Sequence, residues 1–242
     1  MSENKSLDIL GIQPVAEAAN KLTSGIVDGA GAFLSRICLP AAEEFGLMLR
    51  YRVHEWRAQN VQKITLSAEK KFKAYIKSES ACAHPRIVGE ILQQGSWIQD
   101  IEVQEMWAGL LASACTDSGT DDSNLLFVNL LAGLTRVQAH IVNYACRNAV
   151  KGLPSTGLLY SQHFEVTRDE LSTLTGEQDI YRLDRELDHL RSRELLTSVG
   201  GFNVNAPELI ADLTPTSLAI QLYVRSQGTR ASPMEYFKLV QS

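Results

Sequence analysis

A chain of 242 residues with a formal net charge of −5 and apolar and charged fractions of 45% and 21% has the balance of an ordinary globular protein. It is long enough for one large core or two modest ones. Every long apolar stretch is interrupted by charge before the roughly 18 residues that a membrane-spanning helix needs, so no spanning helix is expected.

Met1–Asp8 is polar and of mixed charge and lacks a leader pattern. Cys38, Cys82, Cys115 and Cys146 are widely spaced without a C-x-x-C pair, which reads as free, mostly buried thiols. The expected place is the cytoplasm, with a peripheral position at the inner membrane for any surface-seeking segment. From Pro14 to Ile37 the apolar residues follow a helical period, broken by Gly25, Gly29 and Gly31. A glycine in a helix interior costs about 1 kcal/mol against alanine. Three of them point to close helix–helix approach, within the core, in an oligomer or at a membrane surface.

Pro40 restarts the helix, and the apolar stripe Phe45, Met48, Leu49, Val53, Trp56, Val61, Ile64, Ala68, Phe72 and Ile76 predicts one long helix to Lys77, or two with a junction near Gln59–Asn60. Trp56, Tyr51 and Tyr75 broadly follow the same period and are expected in the core. Ser78–Ala83 reads as a connection, and Pro85 opens a short helix closed by Gly95. Ser96 with Gln99 resembles a capping box for the next helix, whose stripe is Val103, Met106, Trp107, Leu110, Leu111 and Ala114. Ala108, Gly109 and Ala112 give that central helix a small-residue face on which another helix can lie. The loop 117–123 holds three aspartates, but their spacing fits helix capping better than a calcium loop.

Leu125–Leu134 and Val137–Val150 are two further helices, the second introduced by a capping box at Thr135 and Gln138. Gly152, Pro154 and Gly157 mark a linker. Beyond it come a short strand at Phe164–Val166, a helix capped by Thr167 and Glu170, a turn at Gly176, and an amphipathic helix carrying Leu183, Leu187 and Leu190. Leu195–Val199 and Phe202–Val204 around Gly200-Gly201 predict a hairpin, and Leu213-Thr-Pro-Thr caps a last helix ending at Gly228. The predicted fold is mainly α: a helical bundle with long amphipathic helices, followed by a C-terminal winged helix-turn-helix-like domain with a small β-hairpin. The expected division is a Gly-rich segment 1–39, a helical core 40–152, the winged-helix-like domain 160–228 and a tail 229–242.

The charge is unevenly placed. Between Arg50 and Lys77 eight cations face Glu55 and Glu69, a local +6 that leaves −11 for the rest. Arg50, Arg52, Arg57, Lys63, Lys70, Lys71 and Lys73 are therefore the candidate residues for an anionic surface or partner, with Gly25, Gly29 and Gly31 as candidates for close helix approach. A solvated face whose cations pair with acids elsewhere is the plain alternative. The second amphipathic helix of the C-terminal part is a poor DNA reader, because Arg182, Arg185, Arg191 and Arg193 are matched by Asp179, Asp184, Glu186, Asp188 and Glu194. No nucleophile elbow, P-loop, H-E-x-x-H or dinucleotide fingerprint occurs, and the five histidines fall in five separate elements. No enzyme activity, cofactor or metal site is expected.

Several blocks resemble a known family. Pro40-Ala-Ala-Glu-Glu-Phe-Gly-Leu, Trp56-Arg-Ala-Gln-Asn-Val-Gln-Lys-Ile64, Pro85-Arg86 with Ser96, Gln104-Glu-Met-Trp-Ala-Gly-Leu-Leu-Ala112, and the pattern of Leu183–Leu196 with Leu213-Thr-Pro215 are similar to the bacterial Abi-alpha (abortive infection alpha) proteins, over about residues 40–225. One departure is Trp97-Ile98, where a more acidic run is expected after the serine. The resemblance implies defence against phage by arrest or death of the infected cell, and it supplies no catalytic residues. Together with the charge pattern it points to a non-enzymatic protein acting through a membrane surface, an operon-encoded partner or its own oligomer. The alternative is a DNA-binding sensor or transcriptional regulator using the winged helix.

Overall fold

Helix α1 (His54–Tyr75) contains neither glycine nor proline, and Val61, Ile64, Ala68 and Phe72 form its buried stripe. That stripe lies along α3 (Ile101–Ser113), the central helix, in which every residue from Met106 to Ser113 is buried. The computed structural model describes Arg36, Cys38 and residues 54–76, 78, 80–153, 157–197, 202–203 and 209–239. The long helix runs straight through Gln59–Asn60 instead of breaking there. Asn60 is buried and bonded: its amide donates to the Ser96 carbonyl at 3.0 Å and accepts from Gln104 Nε2 at 3.1 Å. Tyr75 is 49% exposed and so lies outside the core, contrary to the periodicity. Tyr51 lies outside the described residues.

Helix α2 (Pro85–Gly95) precedes α3, and two local readings change at their junction. Ser96 does not cap α3; it follows the end of α2, where its hydroxyl donates to the Gln93 carbonyl at 2.8 Å. The cap of α3 is Asp100, whose carboxylate accepts the Val103 N–H at 3.1 Å, so the helix starts at Ile101. Gly95 is the last helical residue and has a packing reason. A β-carbon there would meet Ile64 Cδ1 at 2.9 Å and Trp107 Cγ at 3.4 Å.

Two-residue ladders escaped the sequence: β1 (Cys82–Ala83) pairs antiparallel with β2 (Cys115–Thr116). Helix α4 (Leu125–Ala132) follows the polar loop. Helix α5 (Arg136–Asn148) begins at the Thr135–Gln138 capping box, both of whose bonds form. β3 (Lys151–Gly152) then pairs with β4 (Tyr160–Ser161), so the expected linker is partly ordered into a ladder.

In the C-terminal part, β5 (Glu165–Thr167), α6 (Arg168–Thr175), α7 (Ile180–Ser192), β6 (Phe202–Asn203) and β7 (Ile210–Asp212) follow one another, and the strands form an antiparallel sheet in the order β5-β7-β6. The hairpin is therefore built differently from expectation. Phe202 pairs with Ala211, while Leu196 makes a single bridge to Pro215. Leu195 and Leu196 are both buried, and Glu194 just before them, after the end of α7, has a left-handed φ of 58°. Gly200 and Gly201 lie outside the described residues.

Helix α8 (Ser217–Ser226), capped by Thr216, returns to the centre and packs on α3 and α5. The small-residue face is where it lands: a β-carbon on Gly109 would sit 1.7 Å from the Ser226 carbonyl oxygen. The tail packs as well, through α9 (Pro233–Tyr236). Tyr236 and Phe237 gather around Tyr223 with ring centroids 6.0 and 6.2 Å from it. One apolar cluster connects Phe72, Trp107, Ile141, Leu187 and Val224.

Candidate functional site

With its apolar stripe committed to α3, α1 presents its cations on the remaining faces, and each meets a different fate. Arg57 turns toward the α2–α3 junction. Its Nε donates to Ser96 Oγ at 2.9 Å, and its guanidinium lies 4.2 Å from the centroid of the Trp97 ring, which in turn sits 6.0 Å from Trp56. Burial lowers the Arg57 pKa from its ordinary value, but an arginine remains protonated. Trp97 is half exposed and lies as a lid over the arginine. Lys73 pairs with Glu69 one turn earlier, at 2.8 Å.

Lys71 reaches across to α3 and meets Glu105 at 3.0 Å, and Ser67 Oγ donates to the same carboxylate at 2.6 Å. Burial raises the Glu105 pKa, and the bonds from Ser67 and Lys71 with the charges of Lys71 and Lys70 outweigh it, so the carboxyl sits below its ordinary value. Lys63 and Lys70 are exposed and have no ion pair among the described residues. They flank a groove of about 690 Å³ between α1 and the first turns of α3, closed at one side by Gln227 after α8. Leu66, Ala74 and Tyr75 from α1 and Ile101 from α3 give this groove an apolar lining, and Ile101 is 75% exposed.

Of the seven candidate cations, then, Lys63, Lys70 and Lys71 share one groove, Arg57 is drawn into the junction, and Lys73 is neutralised within its own helix. Arg50, Arg52, Gly25, Gly29 and Gly31 lie outside the described residues.

A second polar cluster, invisible in the sequence, ties α3 to α5. His140 Nε2 lies 2.9 Å from Asp100 Oδ1, and its Nδ1 lies 3.8 Å from Glu102 Oε2. Asn143 donates to Glu102, and Arg136 and Arg147 stand 3.8 and 3.9 Å from Asp100 and Glu102. Burial raises the Asp100 pKa, but the His140 and Val103 hydrogen bonds with the fields of His140 and Arg136 hold it below its ordinary value. Both ring nitrogens of His140 thus face carboxylates, which suits an interhelical brace.

On α7 the arginines are largely spoken for. Arg182 meets Glu177 at 2.7 Å and Glu186 at 3.8 Å, and Arg191 meets Asp188 at 3.1 Å. Arg193 presses against Gly133 at the end of α4, where a β-carbon would come within 1.9 Å of its Nη2. Among the described residues no group of three or more His, Cys, Asp or Glu side chains is placed to hold a metal ion, and no helix is long and apolar enough to cross a membrane.

The class of protein defined by this arrangement is a mainly helical one, in which α3 is enclosed by α1, α2, α5 and α8. The family model for Abortive infection alpha matches residues 57–226, from Arg57 near the start of α1 to the end of α8, and the chain belongs to that family. No curated protein and no solved structure matches the chain.

Proposed function

We propose that this abortive-infection protein acts in bacterial defence against phage without a catalytic step of its own, by engaging an anionic surface through the exposed flank of α1. The observation that carries the reading is the pairing of charge with apolar exposure. Lys63 and Lys70 stand free of ion pairs among the described residues and line a groove with Ile101, which is 75% exposed. Lysines near an anionic bilayer contribute about 1 kcal/mol each, and aromatic and aliphatic tips add apolar burial at the headgroup level. The cytoplasmic face of the inner membrane is the surface that fits. Flotation of the full chain with phosphatidylglycerol-containing vesicles is the test. Recovery with those vesicles, none with neutral phosphatidylcholine, and release by high salt are expected; no recovery with anionic vesicles overturns the reading.

A second reading, a DNA-binding sensor, draws support from the strand order β5-β7-β6 behind α6 and α7, which is how a winged helix arranges its sheet. The engaged arginines of α7 weigh against it, since Arg185 alone among the four is exposed and without an ion pair among the described residues.

A further inference from the structure

We propose that the groove between α1 and α3 is a binding site for a ligand carrying two phosphoryl groups. Lys63 and Lys70 are seven residues apart, two turns of one helix, which sets their α-carbons about 10 Å apart on the same side. Flexible lysine stems bring two ammonium groups to two neighbouring anions across that span, one cation for each phosphoryl group. Lys71, the residue after Lys70, is held by Glu105 at 3.0 Å, which leaves Lys63 and Lys70 as the lining cations without an ion pair among the described residues. The volume of about 690 Å³ is that of a small-ligand site. Ile101 and Tyr75, 75% and 49% exposed, supply the apolar surface for the rest of such a ligand.

Two sources share this chemistry: a lipid headgroup with two phosphates, and a soluble diphosphate. The inference deepens the surface-binding reading but stands on the groove alone, and the experiment separates the two. Inorganic pyrophosphate is titrated into the full chain by calorimetry at matched ionic strength, with inorganic phosphate as the single-anion comparison. Lys63→Gln/Lys70→Gln is set against Arg86→Gln/Arg168→Gln, which removes the same charge from exposed positions outside the groove. The site predicts pyrophosphate binding that phosphate does not match, weakened at least about tenfold in the groove variant and unchanged in the other.

In the second arm, vesicles containing cardiolipin are compared with phosphatidylglycerol vesicles of equal charge, with and without pyrophosphate. Preference for cardiolipin and release by pyrophosphate assign the lipid source. Pyrophosphate binding without any vesicle binding assigns the soluble source and overturns the membrane reading while the site stands. Vesicle binding that is weakened in the groove variant but indifferent to pyrophosphate overturns the site and leaves the membrane reading, whereas binding indifferent to both overturns the two together. Failure of both arms overturns both.

Discussion

Gly109 is the residue on which the packing of the two halves turns. It lies in the middle of α3, where a helix would gain from alanine, yet the Ser226 backbone occupies the space a β-carbon needs. Because the obstacle is main chain at the end of α8, no rotamer change relieves it. Gly109→Ala should cost about 3 kcal/mol, the upper range for overpacking, read as a lowered midpoint in chemical denaturation. Gly89, in α2, is the internal comparison, since a β-carbon there would have nothing within 4 Å. Gly89→Ala should stabilise by about 0.5–1 kcal/mol through helix propensity alone. Equal effects at the two glycines would contradict the close approach of α3 and α8.

At the scale of elements, the start of α3 is where capping, charge and packing meet. Asp100 caps the helix and at the same time faces His140 and Arg136 of α5, with Glu102 on the other side of the imidazole. Its folded carboxyl lies below the ordinary value, so its contribution is present at neutral pH and is lost as the pH falls below about 4, through the folded value. Asparagine keeps the cap and removes the charge. Asp100→Asn should therefore cost about 1 kcal/mol near pH 6.5, and its stability curve should converge on that of the parent in acid. Asp100→Ala loses the cap too and should remain about 1 kcal/mol less stable than Asp100→Asn throughout. A constant gap between parent and Asp100→Asn from pH 3 to 7 would remove the electrostatic part of the argument.

The same element shows why some of the fold was legible and some was not. The capping boxes at Thr135 and Thr167 are contained within four residues and formed as read, and so did the small-residue face of α3. Ser96 carried the same local signal as those two threonines, but its hydroxyl is taken by Gln93 and Arg57, and the chain needs four more residues to turn into α3. The lysines of the groove could be placed on one helix from their spacing. Which of them stay free depends on Glu105, which belongs to another element, and no period in the sequence reports that pairing. The His140 brace, 40 residues from its Asp100 partner, was beyond local reasoning for the same reason.

For the whole molecule, the central question is whether its two halves unfold together. A chain of 242 residues exceeds the size at which two-state behaviour is the default, and an independent C-terminal unit would melt on its own. Yet α8, which ends the family match, buries Ile220, Leu222 and Val224 and lies on α3 and α5, while α5 also packs on α6 and α7. Removing either half exposes the apolar faces of the other. The tryptophans make this testable, because Trp56, Trp97 and Trp107 all lie in the N-terminal half, whereas circular dichroism at 222 nm reports the helices of both. We expect the tryptophan emission and ellipticity curves in guanidinium chloride to coincide, with one midpoint and one slope. Gly109→Ala should move both curves by the same amount, since its clash acts on the joint that couples them. If ellipticity outlasts the tryptophan transition, the C-terminal elements hold a core of their own, and the contact between α3 and α8 is a docking surface between separate folding units.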